Sequence, residues 1–541
     1  MSTLDRARDA AARERPLRPA GLAIAALVLV AAAGVSAAMP QGGAARWFLA
    51  GTVALVLAFV ALRSTTQSVL ATFVWLFALG MSRRLASEVL ADPGRDPFLV
   101  VSLAPLVVLG ARAVLVGALR RLTVLAWLLL AFTALAFVQL ANPHQPSGAI
   151  RLAGLLVWVV PTAWFWVGRT LVRARLARSL LLVVVGLTTV IALYGIAQSV
   201  SGFPPWDQRW IRFRGYAALY IGPGTVRPFG SMASAAEFAL ACAVGVAVGS
   251  VLWFGPRLLV PDRANRRARH RDAGRRRWLV VLGLAACAIT GGGLLLSAIR
   301  TYLVLVVVAL PVMYLVYRGK RAWKVLVPAI LLVALGFALL AQVDPDSIGR
   351  NGAQAGIRRI IVFVHDPFAK NRENTDNTLQ LHYENAKFGV EQAFEKPLGR
   401  GTGSTGVPGE HFGAKAASTD FDMADAGIAF GIAGLLLSLA IVVSGFVTAI
   451  RAVRRKRTFE GVALVGILVV SFGAWFQGAH YALAPLLWLL LGRADGVLVH
   501  GPDGSESAPD TEAPGAADQP GAVPAPTAGT AGAAGAAGTA R

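Results

Sequence analysis

Residues 179–199 read SLLLVVVGLTTVIALYGIAQS, a run that contains no charged side chain. A helix of about 20 residues crosses the roughly 30 Å hydrocarbon core of a bilayer. Because lipid offers no hydrogen-bond partners, a backbone inside it must satisfy its own polar groups. Apolar and polar residues do not alternate along the run, as they would in a strand of a membrane barrel. The stretch therefore predicts a membrane-spanning helix.

Similar runs recur along the chain, which has 541 residues, 56% of them hydrophobic and only 15% charged. Soluble domains carry about 25% charged residues. The sequence predicts an all-α polytopic membrane protein with about fourteen transmembrane helices and one large external loop between helices 11 and 12. The expected spans are 20–39, 46–62, 67–81, 97–117, 122–142, 150–168, 179–199, 234–254, 278–297, 301–318, 325–343, 424–448, 458–475 and 481–493.

The basic residues lie in short segments between the apolar runs, although the formal net charge is +23. This arrangement indicates membrane topology rather than a nucleic-acid surface. The segment 255–277 contains nine arginines and two aspartates, and 318–324 and 451–457 are also basic. By the positive-inside rule all three segments are cytoplasmic, which agrees with a cytoplasmic N-terminus. With fourteen crossings, both termini are then cytoplasmic.

The chain is expected to divide into segments of different character. The first apolar run ends in Val-Ser-Ala-Ala, so a cleaved signal peptide is the alternative to an uncleaved first helix. Function is expected in the two long external loops. The expected segments are 1–19 (basic, cytoplasmic), 20–199 (helices 1–7), 200–233 (external loop), 234–343 (helices 8–11, with the basic cytoplasmic loop 255–277), 344–423 (large external loop), 424–493 (helices 12–14) and 494–541 (disordered cytoplasmic tail).

The large external loop is predicted to contain an amphipathic helix and a glycine-rich turn. Apolar residues recur at steps of four and three, which gives a helix one apolar face. Pro397 and the glycines of 399–406 end it, and those glycines have two readings, a turn or a backbone cradle for phosphate. His382 and His411 show no metal-site spacing. The residues of the apolar face are Leu379, Tyr383, Ala386, Val390 and Ala393.

Two arginines are predicted beside the external ends of helices. Arg227 precedes the helix that starts near residue 234, and Arg300 lies in the turn between two spans. A charge at that depth is costly unless it faces water or an anion. Guanidinium groups offer paired donors that suit phosphate oxygens. The alternative is a snorkelling arginine that anchors a helix end.

Three aspartates, Asp420, Asp422 and Asp425, lie where the large loop re-enters the membrane. A partly buried carboxylate there is a candidate general base for a sugar hydroxyl. The alternative, compatible with the first, is acidic capping of a helix N-terminus. Glu237 lies one turn into the helix that follows Arg227 and is a candidate partner for it.

Three stretches resemble the O-antigen ligase and O-antigen polymerase (Wzy-type) membrane superfamily. Arg-Pro-Phe-Gly-Ser-Met-Ala-Ser (227–234) is similar to that family's arginine-glycine entry to a mid-chain helix. Leu-Leu-Leu-Ser-Ala-Ile-Arg-Thr (294–301) is similar to its serine-arginine turn, and Glu-Lys-Pro-Leu-Gly-Arg-Gly-Thr-Gly (395–403) to its Pro-Leu-Gly-x-Gly stretch. The segment from Asp420 to Gly434, which is predicted to return into the membrane, resembles the end of that family's large loop. The resemblance covers roughly residues 150–495.

The resemblance implies a membrane glycosyltransferase that moves glycan from a polyprenyl-diphosphate carrier at the outer face of a bacterial inner (plasma) membrane. The product would be cell-surface polysaccharide, the acceptor a glycan or lipid, and neither a cofactor nor a metal would be needed. Arg227, Arg300 and Arg214 would bind the diphosphate and stabilise its departure. Asp420 and Asp422 would supply the base.

One departure from the family pattern bears on the base. Ligases of the family place a His-Asn pair where this chain has Asp420-Phe421-Asp422, which weakens ligase relative to polymerase. A second hypothesis for the whole chain is a transporter or flippase of lipid-linked saccharides. Transporters show internal repeats and paired broken helices, and the sequence shows no clear repeat.

Overall fold

The computed structural model describes residues 16–38, 43–89, 96–145, 147–214, 220–222, 225–260, 266–349, 378–406, 421–476 and 480–501, with residues 354, 358, 361, 362, 365 and 419. Nearly all of them are helical. The helices are α1 (Pro19–Ala38), α2 (Gly43–Arg63), α3 (Thr65–Val89), α4 (Leu103–Val116), α5 (Val124–Val138), α6 (Gly148–Leu171), α7 (Ala174–Ser201), α8 (Pro205–Arg214), α9 (Ala235–Phe254), α10 (Arg266–Ser297), α11 (Arg300–Arg318), α12 (Trp323–Leu340), α13 (Thr378–Glu395), α14 (Asp422–Arg455), α15 (Phe459–Val470) and α16 (Leu483–His500).

The prediction of an all-α polytopic membrane protein is confirmed. Twelve helical segments of the described residues are long and apolar enough to cross a membrane. Every predicted span coincides with a helix, but α15 is shorter than these twelve and α12 is not counted as a separate segment, so the number fourteen stays a prediction. In the described part of the chain, the only strands are β1 (Tyr220–Gly222) and β2 (Thr225–Val226), which pair antiparallel.

The last helix is longer than predicted. The sequence places its end at residue 493 and a disordered tail from 494, whereas α16 continues to His500. Asp495 interrupts the apolar run and so hides the continuation, but its carboxylate is fully buried and ion-paired. The prediction for residues 494–500 was therefore wrong. The tail from 502 and the first fifteen residues lie outside the described part.

The helix bundle is built around α9. Almost the whole of α9 is buried, and it packs against α7, α10, α11 and α15. The peripheral helices instead expose large apolar side chains such as Leu55, Val107 and Val124. Apolar surface on this scale is not stable in water, but it is the surface that lipid covers. The distribution of burial thus agrees with a membrane environment.

Helices α6 and α16 cross at backbone contact because glycines line both. A Cβ atom on Gly168 would lie 1.9 Å from the carbonyl oxygen of Leu489. A Cβ atom on Gly492 would lie 2.0 Å from the carbonyl oxygen of Phe165. Small residues at such a crossing let backbones pack by dispersion where no hydrophobic effect drives helices together.

The connections between helices meet at two opposite ends. At one, which we name the loop end, Arg84 contacts Asp207, and Gln139 contacts Leu398. At the other, the basic end, the Nε of Arg169 donates to Asp495 at 2.7 Å. In the described part of the chain, the contacts at the loop end join segments at or beside connections predicted to be external, and the contact at the basic end joins segments predicted to be cytoplasmic. Which end faces the cytoplasm remains a prediction from charge.

Helix α14 is broken at Gly431, whose φ of 69° and ψ of −155° are not helical. A Cβ atom there would lie 1.9 Å from the carbonyl oxygen of Pro397, so only glycine fits. The segment after α13 runs through the break: Arg400 and Gly401 donate backbone N–H groups to α14 at 2.9 Å each, and Ile432 donates to Pro397 at 3.2 Å. These bonds satisfy backbone groups that the break releases from the helix.

Candidate functional site

The loop end contains a buried polar network centred on Asp207, the third residue of α8. One carboxylate oxygen accepts from Arg84 Nη1 at 2.5 Å, and both side chains are fully buried. The other oxygen accepts from the hydroxyl of Tyr194 and from Nε2 of Gln198, each at 2.7 Å. A buried ion pair is stable only when further hydrogen bonds satisfy its remaining atoms, as they do here.

This network fixes the backbone that follows Arg227. Gln198 Oε1 accepts the N–H groups of Phe229 and Gly230 at 3.0 and 2.8 Å, and Arg84 Nη2 donates to the carbonyl of Gly230 at 2.8 Å. Gly230 has a φ of 53°, and a Cβ atom on it would lie 2.7 Å from the carbonyl oxygen of Ile191. The side chain of Arg227 is half-buried. The backbone just after it, at Phe229 and Gly230, is held by hydrogen bonds from α3 and α7.

Arg300 is the first residue of α11 and is also half-buried at the loop end. The turn before it is tight: Ser297 Oγ donates to Leu294 at 2.6 Å and accepts from the N–H of Ile299 at 3.3 Å. Ala298 is buried with a φ of 53°, a region that costs a non-glycine residue about 1–3 kcal/mol. The surrounding packing thus stabilises the turn that precedes Arg300 and fixes where the residue lies.

The other predicted site residues have different outcomes. Arg214 ends α8, but its side chain lies outside the described part, as do Asp420 and His411 and the side chain of His382. Asp422 is described, and it is only 5% exposed. Its carboxylate accepts from the N–H of Phe476 at 2.6 Å. The structure therefore gives Asp422 an anchoring role, and its role as base stays a prediction.

Asp425 has a similar anchoring role. Its Oδ1 accepts from both the N–H and the hydroxyl of Thr419, at 2.8 and 2.7 Å. The backbone N–H of Asp422 donates to Gly473 at 2.8 Å. The bonds of Asp422 join the start of α14 to the connection between α15 and α16, and those of Asp425 hold Thr419, which precedes the helix. Both aspartates lie in the first turn of α14, where a negative charge complements the helix dipole, but the N-cap residue is Phe421, which makes no side-chain capping bond.

Glu237 closes the first turn of α9 instead of pairing with Arg227. Its Oε2 accepts from the N–H of Ala233 at 3.1 Å, while its own N–H donates to Ser234 Oγ at 3.2 Å. The carboxylate also accepts from the backbone N–H of Tyr481. Ser234 thus caps the first turn of α9, and Glu237 binds the residue before the cap and the last connection of the bundle.

His480, next to Tyr481, is a candidate site residue that sequence reasoning missed. It is half-buried, and its Nδ1 is buried with no hydrogen-bond partner in the described part of the chain. Burial disfavours the charged imidazolium and lowers the pKa of His480 to about 4. The residue is therefore a neutral imidazole at pH 7. Its place in the short connection 476–480, predicted to be external, was the available signal.

The pKa of His480 predicts acid sensitivity. An unfolded chain protonates a histidine below about pH 6.5, whereas the folded chain resists protonation down to about pH 4. Stability should therefore be lost as the pH falls through this window, by roughly 3 kcal/mol at about 1.4 kcal/mol per pKa unit. Thermal unfolding midpoints of purified wild type and His480→Gln should diverge between pH 7 and pH 4.5, with the variant less acid-sensitive. Parallel pH profiles would contradict the assignment.

The glycine-rich stretch 399–406 forms a turn, the first of its two predicted alternatives. The carbonyls of Leu398 and Gly399 accept from Gln139 and Asn142, at 2.6 and 3.2 Å. Gln145 Oε1 accepts the N–H of Gly403 at 3.0 Å. These amide side chains come from the connection between α5 and α6, so they hold the stretch as a folded turn at the loop end.

The predicted helix of the large loop is confirmed as α13, and its predicted apolar face is partly wrong. Ala393 is buried as predicted, but Tyr383 is 69% exposed and Val390 is also exposed, whereas Gly389 and Gln392, which lie outside the predicted face, are buried. The reason is close approach to α14: a Cβ atom on Gly389 would lie 2.5 Å from the Cβ of Ala424. Small residues, rather than large apolar ones, make this contact.

No protein-family model matches the chain, and no curated protein sequence matches it significantly.

Proposed function

We propose that the chain is a membrane glycosyltransferase of the O-antigen ligase or polymerase type. It transfers or polymerises glycan from a polyprenyl-diphosphate carrier at the outer face of a bacterial inner membrane, for cell-surface polysaccharide. The donor is the lipid-linked glycan and the acceptor is a glycan or a lipid. The loop end would face outside, because the basic end carries the cytoplasmic signature of the positive-inside rule.

One observation supports this proposal most: two arginines stand at the loop end on firmly held backbone. Arg227 follows β2 and precedes the segment held by Gln198. Arg300 follows the turn held by Ser297. Glycosyl transfer from a diphosphate releases an anion, and preorganised cations at the site of developing charge lower its barrier. Guanidinium groups supply that charge without a metal ion.

The test is the length distribution of surface glycan in cells that carry Arg227→Ala or Arg300→Ala. We expect long chains to be lost, because loss of one such contact costs about 10²–10³ in rate. Arg300→Lys keeps the charge but not the paired donors, so intermediate chain lengths are expected. Arg209→Ala is the matched control, since Arg209 lies on the exposed side of α8 in the same loop.

Membrane expression of each variant must be equal for the comparison to count. Long chains in both alanine variants would overturn the diphosphate role and leave the arginines as helix anchors. Loss of long chains in Arg209→Ala to the same degree would also overturn it, because any loop cation would then serve.

A second candidate function, transport or flipping of lipid-linked saccharides, is favoured by the break in α14. Discontinuous helices form substrate sites in many transporters. In this chain, however, the segment that follows α13 occupies the break and binds its backbone groups. Purified protein that elongates lipid-linked saccharide without an ion gradient would favour the transferase, and gradient-dependent movement without elongation would favour the transporter.

A further inference from the structure

Helix α13 presents large apolar side chains on the side that does not pack against α14. Tyr383, Val390 and Phe394 recur at steps of seven and four, so they lie on one side of the helix. Phe394 is 62% exposed, and Leu398, three residues beyond the end of the helix, is 83% exposed. Contact with water is costly for apolar side chains of this size, so we expect this face to contact an apolar medium.

The course of α13 follows that of the first part of α14. A Cβ atom on Gly389 would lie 2.5 Å from the Cβ of Ala424. Further along both chains, the N–H of Ile432 donates to the carbonyl of Pro397 at 3.2 Å. On each chain the two contacts are eight residues apart, in the same direction. Helix α13 therefore runs parallel to α14, from the loop end towards the break at Gly431.

The break in α14 lies at the boundary of the hydrocarbon core. The run 432–450 contains no charged residue, and Arg451 follows it. As a helix this run measures about 28 Å, close to the roughly 30 Å of the core. Leu436 and Val443 are 60% and 63% exposed, as expected of a surface that lipid covers, whereas every residue of 422–431 is buried in protein. The break is thus expected where acyl chains give way to headgroups.

We propose that the C-terminal end of α13 is anchored in the lipid leaflet at the loop end, with Phe394 and Leu398 in contact with phospholipid. Leu398 directly follows Pro397, whose carbonyl binds α14 at the core boundary. Phe394 lies about 5 Å higher along α13, within an interfacial layer that is roughly 5–8 Å thick. Apolar side chains of surface helices insert to this depth. Tyr383 lies about 16 Å above Phe394 and therefore in water.

The anchor also sets the height of the glycine-rich turn. The stretch 399–406 begins immediately after Leu398, so its first residues are held at the surface of the leaflet. The occupant of the exposed face follows from depth alone, because lipid is the medium that surrounds the bundle at that level. The anchor requires neither glycosyl transfer nor a particular orientation of the protein, so it does not depend on the proposed function.

The test measures the depth of a fluorescent label in full-length protein reconstituted in phospholipid nanodiscs. Phe394→Cys, Leu398→Cys and Tyr383→Cys are each labelled with nitrobenzoxadiazole in a background that carries Cys242→Ala and Cys287→Ala. We expect a nitroxide on the lipid acyl chain to quench the labels at positions 394 and 398, whose emission should be shifted to the blue. Iodide in the water should spare these two labels and quench the one at position 383. Every variant must elute as wild type does.

A second measurement keeps the native cysteines. Photoreactive benzoylphenylalanine is introduced at position 394 or 383 of the protein in cell membranes, and irradiation should attach phospholipid at 394 but not at 383. Leu436→Cys, on the exposed side of α14, is the reference for a nanodisc label in contact with lipid.

Three results would overturn the proposal. Iodide quenching at positions 394 and 398 as strong as at 383 would place this end of α13 in water. Protection from both quenchers, with crosslinks to protein, would show that a second copy or another protein covers the face. Equal quenching by lipid at all three positions would mean that α13 lies flat on the membrane and does not descend into it.

Discussion

Arg84→Ala is expected to lower the free energy of unfolding by about 3–5 kcal/mol, the usual effect of removing one partner from a buried ion pair. The substitution leaves the Asp207 carboxylate buried without its cation, and it removes the donor to the carbonyl of Gly230. Neither atom can reach water, because both residues lie inside the bundle. The measurement is the thermal unfolding midpoint of purified protein, together with the yield of monodisperse protein from membranes.

Two further variants distinguish the ion pair from general damage to the core. Arg84→Met with Asp207→Leu removes both charges, and it should recover much of the lost stability, since apolar replacements of buried pairs are often tolerated. Arg63→Ala, an exposed arginine at the end of α2, should change the midpoint little. A midpoint of Arg84→Ala equal to that of wild type would show that Asp207 does not depend on this cation.

Gly168→Ala is expected to disrupt the crossing of α6 and α16. The added methyl group would lie 1.9 Å from the carbonyl oxygen of Leu489, so one helix backbone must shift. Overpacking of this kind costs about 1–3 kcal/mol, and a backbone obstacle places the cost at the upper end. A shift there also disturbs the pair between Arg169 and Asp495, one residue further along α6. The thermal midpoint should therefore fall clearly.

The matched control is Gly186→Ala on α7, where an added Cβ meets nothing within 4 Å. Alanine is the better helix former by about 1 kcal/mol, so this variant should unfold at the same temperature or a higher one. If Gly168→Ala and Gly186→Ala gave the same midpoint, the close crossing described above would be wrong.

The sequence predicted the helices and their alternation between two ends because the length of an apolar run is a local property. Prediction from the sequence was wrong where the burial of a side chain depends on contact with another helix. The periodic apolar residues of α13 predicted a face that includes Tyr383 and Val390, yet the buried face contains Gly389 and Gln392. Periodicity reports which side chains are apolar, whereas the contact with α14 is decided by which side chains are small.

The candidate site was predicted only in part for a similar reason. Arg227 and Arg300 stand beside apolar runs, where a charge is conspicuous. Arg84 and Asp207 are 123 residues apart, and each reads as an ordinary residue at a helix boundary. His480 occupies a connection of a few residues. Pairing across the bundle and burial in a connection leave no local pattern in a single sequence.

The attachment of the glycine-rich turn also sets an order of events during biosynthesis. Gln139 and Asn142 leave the ribosome with their partners at Leu398 and Gly399 still 259 and 257 residues away. Synthesis proceeds at about 5–20 residues per second, so the early helices remain in the bilayer for tens of seconds before these amides can bind their partners. This attachment therefore forms only after the late segment has been made, so a chain interrupted before residue 398 exposes an unfinished surface to membrane quality control.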